Sequence, residues 1–283
     1  MNLKLLHFLS LLITASSTSV SVWTWLSGST DIALSQLKTN SEIVNQVSFG
    51  GFSVSANLTF VDNLNRTILS AIHDLTLESH PIIGGGSITA LRQLFSNVNG
   101  SADTFIAAAT STAVSLNLNG YNIDFEPYNQ DSTYADGLLF ASFADKFAKE
   151  LHKHNVQLSI DYFSNLPFWN IGALNSTQVD TLISMDTYVP SNNSFEIYFN
   201  IAQAHIIDLT RLGVGMCTGV RPPPFTPFGP DPCGINVWTK EKVDERISFL
   251  LEKKVSQINL WVLPIPEVWW VGLRRLKNVT RLK

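Results

Sequence analysis

The chain has 283 residues, of which 45% are hydrophobic, 11% aromatic and only 15% charged. That is enough apolar material for one large core. A formal net charge of −4 and the absence of any Lys/Arg-rich run disfavour nucleic acid or an anionic membrane as partner.

The chain opens with MNLKLLHFLSLLITASSTS. Lys4 lies in a short basic region, an apolar run from Leu5 to Ile13 follows, and small residues come next. Residues 1–17 therefore read as a secretory signal peptide, with cleavage between Ala15 and Thr18; a buried first helix is the competing reading. No later stretch reaches the ~18 uninterrupted apolar residues of a membrane span. A secreted or lumenal protein is expected, in the secretory pathway or a lysosome or vacuole, and as a monomer. Six Asn-x-Ser/Thr sequons, at Asn57, Asn65, Asn99, Asn175, Asn192 and Asn278, suit that route. The only cysteines, Cys217 and Cys233, are expected to pair; two separate buried thiols are the alternative. Closing a loop of ~15 residues contributes roughly 3 kcal/mol in the chain-entropy model.

From residue 18 onward, short β-rich runs alternate with helical patterns. The predicted strands are Val20–Leu26, Val44–Phe49, Pro81–Gly85, Tyr121–Glu126, Val156–Tyr162, Thr181–Tyr188, Leu212–Cys217 and Ile258–Leu263. They read as apolar throughout, as strands covered on both faces do. QDSTYADGLLFASFADKFAKELHKH has a polar start and a Lys/His end, as the helix dipole favours. TKEKVDERISFLLEKK carries Thr239 as N-cap and an apolar stripe of Val243, Ile247, Leu250 and Leu251. Pro266 opens a last helix whose Trp269 and Trp270 are expected to pack against the sheet. Eight strands alternating with helices give βαβ units and a parallel sheet. The fold class is α/β, a single (β/α)8 TIM barrel over residues 18–283, without a sizeable insertion domain.

Such a barrel places its active site at the C-terminal strand ends. Those ends carry Asp124 and Glu126, Asp161, Asp186 and Tyr188, and Trp261. In a strand, residues two apart share a face, so Asn122, Asp124 and Glu126 point one way. Burying neighbouring carboxyls is costly unless chemistry or a hydrogen-bond network requires it. Two close carboxyls with flanking aromatics suit glycoside cleavage. No HExxH helix, GxSxG elbow or GxxxxGK[ST] loop is present. His152 and His154 sit at a charged helix end and read as solvated, and Gly84–Ser87 reads as a tight turn at the rim. No cofactor or metal is expected.

These residues resemble a known family. NGYNIDFE is similar to the D-x-x-D-x-D-x-E signature of glycoside hydrolase family 18, the chitinases, chitobiases and endo-β-N-acetylglucosaminidases. HPIIGGGS, MDTY and INLWVLP resemble three further segments of that family in the same order. The resemblance implies hydrolysis of β-linked N-acetylglucosamine glycans, such as chitin or chito-oligosaccharides. The mechanism it implies is retaining and substrate-assisted, with the N-acetyl oxygen as nucleophile. Glu126 would be the general acid, with its pKa raised by a neighbouring carboxylate and an apolar wall. Asp124 would orient the acetamido group, Tyr188 would bind its oxygen and Trp261 would floor the sugar. Asn122, Asp161 and Asp186 are further substrate-binding candidates, the last two equally readable as structural acids. The departures are Asn119 and Asn122 at the signature's first two aspartates, Ile83 at a serine and Val189 where many chitinases carry an aspartate. A short Pro-rich loop at Pro222–Pro232 leaves no room for the small domain that deepens many chitinase clefts. The alternative is a catalytically inactive chitinase-like lectin that binds the same glycans.

Overall fold

The structure, a computed structural model, describes residues 18–24, 30–127, 131–218 and 238–281. The expected signal peptide, Cys233 and the Pro-rich loop lie outside the described residues. In chain order the elements are β1 (Ser19–Thr24), α1 (Thr30–Thr39), β2 (Gln46–Val54), β3 (Phe60–Asp62), α2 (Arg66–Asp74), β4 (Glu78–Gly84), α3 (Ile88–Phe95) and α4 (Ser101–Leu116). Then follow β5 (Gly120–Asp124), α5 (Tyr134–His152), β6 (Gln157–Tyr162), α6 (Ile171–Asn175), β7 (Thr181–Ser184), α7 (Asn192–His205), β8 (Leu212–Cys217), α8 (Lys240–Glu252), β9 (Gln257–Leu263) and α9 (Glu267–Arg281).

The strands pair in the order β1-β9-β8-β7-β6-β5-β4-β2-β3, and β1 also pairs with β2. That second pairing closes eight parallel strands into a barrel with helices outside, a (β/α)8 TIM barrel. β3 is not a barrel strand: it hairpins back antiparallel on β2, with Phe52 opposite Asp62. Predicted strand ends fall within a few residues of the observed ones, with two larger departures: β2 runs past the expected Phe49 to Val54, and β7 stops at Ser184 and leaves Asp186 and Tyr188 in the segment beyond it.

The strands alternate, which corrects the expectation of uniformly apolar runs. Val20, Val22, Val47, Phe49, Ile83, Tyr121, Ile123, Leu158, Ile160, Leu182, Val214, Ile258 and Leu260 all belong to the main hydrophobic core shared with the helices. Their neighbours in sequence face the other way, into the lumen. There the register sets Ser21 beside Gln46 and Asn259, Ser48 beside His80, and Asn122 beside Ser159. The barrel is apolar outside and mostly small or polar inside, with Ile82 and Ile183 as apolar lumen positions, so its lumen can hold polar side chains near one mouth. Glycines make this possible: a Cβ on Gly120 would lie 2.4 Å from the His80 ring, and one on Gly213 would lie 2.6 Å from Asn259 Nδ2.

Local chemistry sets the helix starts. Asn65 caps α2 by accepting from the Thr67 N–H at 3.0 Å. Thr133 and Asp136 form a capping box on α5, and Thr239 caps α8 as its sequence predicts. Beyond β4 the turn uses Gly85 at φ 82° and Gly86 at φ 88°, values that glycine adopts without strain, before Ser87 caps α3. Trp269 and Trp270 of α9 are 0% exposed and pack in the core. No helix among the described residues is long and apolar enough to cross a membrane.

Candidate active site

β5 delivers the central residues. Asn122 is fully buried on the lumen face, and its Nδ2 donates to Ser159 Oγ at 3.0 Å. Asp124 ends the strand, half-buried at the mouth. Glu126 follows two residues later, with its side chain exposed. The apolar wall expected around Glu126 is therefore not what surrounds it. Desolvation falls on Asp124 instead, because the strand's last pleat keeps Asp124 inside while the chain leaves the sheet before Glu126. Burial pushes the Asp124 carboxyl well above the usual range, and the charge of Glu126 and a hydrogen bond to it add to the shift.

β6 supplies a second buried acid. Asp161 is 0% exposed, and neither of its oxygens has a hydrogen bond of normal geometry. Burial first and the Asp124 charge second push its carboxyl up; the nearby Asn122 amide pulls it down, and Glu126 pushes it up again. The Asn122 amide thus acts on Asp161 through a loose hydrogen-bonding contact, while its well-formed hydrogen bond goes to Ser159.

The segment after β7 brings in the aromatic part. Tyr188 lies against Trp261 of β9, with ring centroids 6.0 Å apart and planes inclined at 22°. The Tyr188 hydroxyl is buried without a hydrogen-bond partner. Burial raises its pKa well above 10, and the charges of Asp161, Asp124 and Glu126 raise it further, in that order. Tyr188 is therefore a neutral donor at any working pH. Those three influences also show that one tyrosine and three acids form a single electrostatic cluster.

Asp186 is placed differently. Its Oδ2 accepts from the Ser164 N–H at 2.9 Å, which ties the segment after β7 to the loop after β6. Asn119 accepts from the Ser79 N–H at 3.0 Å and sits at the strand's start, far along β5 from Asp124. His152 pairs with Asp180 at 2.9 Å on the outside of the barrel. Among the described residues no group of three His, Cys, Asp or Glu side chains is placed to hold a metal ion. Cys217 is buried at the end of β8, and its expected pairing with Cys233 lies outside the described residues.

Two supports escaped sequence reasoning. A Cβ on Gly215 would lie 2.5 Å from Tyr188 Cε1 and 2.3 Å from the Ser184 carbonyl oxygen, so only glycine leaves room for the Tyr188 ring. Arg246 of α8 is 1% exposed; its Nη1 donates to the Val189 carbonyl at 3.1 Å and its Nε to Asn192 Oδ1 at 3.0 Å. Its guanidinium lies 4.0 Å from the Phe195 ring centroid and 4.8 Å from that of Trp238. Burial lowers its pKa to about 9, with the Glu245 charge opposing. Arg246 thus holds the residue next to Tyr188. The available signal was an arginine at the i+3 position from Val243, on the apolar stripe of its helix.

No protein-family model matches the chain, and no curated protein matches it. Solved structures do. The spore cortex-lytic enzyme SleL of Bacillus megaterium QM B1551 is 13% identical, with a TM-score of 0.73 over 91% of this chain and 73% of that one. A chitinase from Chromobacterium violaceum ATCC 12472 is 12% identical, with a TM-score of 0.72 over 92% of this chain and 99% of that one. The Ostrinia furnacalis Group II chitinase catalytic domain 2, as a mutant in complex with an N-acetylchito-oligosaccharide, is 11% identical, with a TM-score of 0.70 over 93% and 97% of the two chains. At these identities the likeness is one of fold, and it spans nearly the whole of this chain.

Proposed function

We propose that this protein is a glycoside hydrolase of the family 18 type that cleaves β-linked N-acetylglucosamine glycans, chitin or chito-oligosaccharides, with retention of configuration. The observation that carries the proposal is the cluster at one barrel mouth: exposed Glu126, desolvated Asp124, and the neutral hydroxyl of Tyr188 beside the Trp261 face. The likeness of fold to chitinases supports it.

Glu126 stands where it can reach a glycosidic oxygen from solvent, and it protonates that oxygen as the bond breaks. The substrate's acetamido oxygen attacks the anomeric carbon and forms a cyclic cation. Asp124 accepts from the acetamido N–H and balances the positive charge, which a desolvated carboxylate does more strongly than a hydrated one. The Tyr188 hydroxyl, buried without a partner, donates to the acetamido oxygen, and Trp261 forms the floor under the sugar. Glu126, now ionised, takes a proton from the water that opens the ring on the same face, and retention results.

Survival of both Asp124 and Glu126 favours an enzyme over a chitinase-like lectin. Residues 1–17 and the exposed sequons support a secretory route; Asn122 shapes the site from below Asp124 on β5, and Asp186 holds the loop after β6 at its rim. The test is release of a fluorescent leaving group from chitobiose and chitotriose conjugates between pH 4 and 8, with the product anomer followed by NMR. Turnover with a β-anomeric first product is expected. Tight binding of chito-oligosaccharides without turnover would leave the lectin reading in its place.

A further inference from the structure

β5 and β6 run in parallel register, with Asn122 beside Ser159 and Ile123 beside Ile160. One step further along the same ladder, Asp124 stands beside Asp161 on the lumen face, on strands about 4.8 Å apart. Asp161 is wholly buried, and neither of its oxygens has a hydrogen bond of normal geometry. The groups that act on it are Asp124 and Glu126 from the end of β5 and the amide of Asn122 below them. Tyr188, from the segment after β7, feels Asp161, Asp124 and Glu126 as well, and on β7 the residue in register with Asp161 is Ile183. None of these groups is a cation. Two carboxyls set side by side in a desolvated lumen without a positive partner cannot both ionise, so they hold one proton between them.

We propose that Asp161 is the positioning acid of this site, sharing one proton with Asp124 across the β5–β6 ladder and thereby setting when Asp124 carries charge. Asn122, below Asp124 on the same strand, has no titratable proton to share, so the second carboxyl comes from the neighbouring strand. The consequence for catalysis rests on the hydrolase proposed above. At working pH the pair holds one proton and one negative charge. When positive charge develops at the acetamido group, the proton settles on Asp161 and the charge on Asp124, and no proton leaves the pair. Raising the pH strips that proton to solvent and leaves two adjacent charges, one buried and one half-buried. Both folded-state pKa values lie above the unfolded value of 3.8, so stability falls as pH rises from there through the pair's upper pKa.

The test uses the whole protein with 13C-labelled aspartate carboxyls, and compares the native chain with Asp161→Asn and with Asp161→Ser as a second variant. The Asp124 and Asp161 resonances should share a titration step in the native chain, and in either variant that step should be lost and Asp124 should titrate at lower pH, with Glu126 as its remaining neighbouring acid. In Asp161→Asn, kcat should fall by ~10-fold or more and the alkaline limb of its pH profile should move down, while KM stays within about 3-fold. Adding Asn122→Asp to that variant should restore the limb, because an acid again adjoins Asp124. An Asp124 titration with no step in common with Asp161 in the native chain would overturn the proposal, as would an unchanged pH profile in Asp161→Asn. Should the native chain turn over no substrate, the hydrolase proposal fails by itself, and the carboxyl titration still decides whether the proton is shared.

Discussion

Tyr188 and Trp261 stack with their planes 22° apart and their ring centroids 6.0 Å apart, and the phenol hydroxyl is buried without a partner. A buried hydroxyl left unpaired costs stability, on the order of 1–3 kcal/mol, until a ligand supplies its partner. Replacing Tyr188 by Phe keeps the ring and removes only that donor. Thermal stability should stay level or rise, while kcat falls by ~100-fold, the usual loss when one donor to a developing charge is removed. Melting curves and steady-state kinetics on the same preparation check both halves. A fall in melting temperature with unaltered kcat would make the hydroxyl merely structural.

Gly215 should be intolerant of the smallest side chain. A methyl group there meets the Ser184 carbonyl at 2.3 Å and Tyr188 Cε1 at 2.5 Å, and the carbonyl belongs to a barrel strand that cannot yield. Gly215→Ala should destabilise by about 1–3 kcal/mol and displace Tyr188, so activity falls with it. Gly172→Ala is the control: the added carbon meets nothing closer than Asn170 Oδ1 at 3.5 Å, so denaturant melts should show no loss.

The start of α5, just after the site strand, is anchored by charge. Arg92 Nε donates to Asp136 Oδ1 at 2.5 Å and its Nη2 to Oδ2 at 2.8 Å. The Arg92 hydrogen bond is the largest influence on Asp136; with help from Thr133 it holds the carboxyl at about 2, against 3.8 for an ordinary aspartate. A depressed carboxyl stabilises the fold above its unfolded pKa, and that contribution is lost as pH falls from 3.8 through about 2. Asp136→Asn should therefore melt lower than the native chain at pH 7, and the gap should close towards pH 2. A gap that is constant with pH would contradict the ion pair's role.

The barrel was legible in the sequence because its outward positions are large and apolar, mostly β-branched, leucine or aromatic, and recur in eight strands between helical stripes. β3 was not, since Phe60, Val61 and Asp62 are too few to show a period. The alternation was missed for a different reason: the lumen positions are glycine, serine and asparagine, which dilute an apolar run without looking charged. Asp124 and Glu126 could be placed on one strand end, but not their unequal exposure, which depends on where β5 leaves the sheet. Nor could sequence pair Asp124 with Asp161, because register between strands is set by the closed barrel rather than by local pattern. Asp186 read equally as a cleft acid and as a structural one; which amide it holds, that of Ser164, became visible only with the loops in place.

The sequons separate by geometry. Asn57, Asn65, Asn99 and Asn278 are exposed, whereas Asn175 and Asn192 are half-buried. Asn192 Nδ2 donates to Glu245 at 2.6 Å and to the Lys242 carbonyl at 3.2 Å, so both amide hydrogens are in use and a glycan would displace one. In chain passed through a eukaryotic secretory pathway, glycopeptide mass spectrometry should find sugar on Asn57 and Asn65 and none on Asn192. A fully occupied Asn192 in folded protein would contradict this arrangement.

The most direct measurement of the central claim is hydrolysis of a fluorogenic chitotriose conjugate by Glu126→Gln, with ligand binding to the same variant measured by calorimetry. The substitution keeps the shape of an exposed side chain and removes only its acid proton. The expected result is turnover lowered by at least ~100-fold with affinity for chito-oligosaccharides within a few-fold of the native chain. Near-native turnover by Glu126→Gln would contradict the assignment of this site as the place where the glycosidic bond is cleaved.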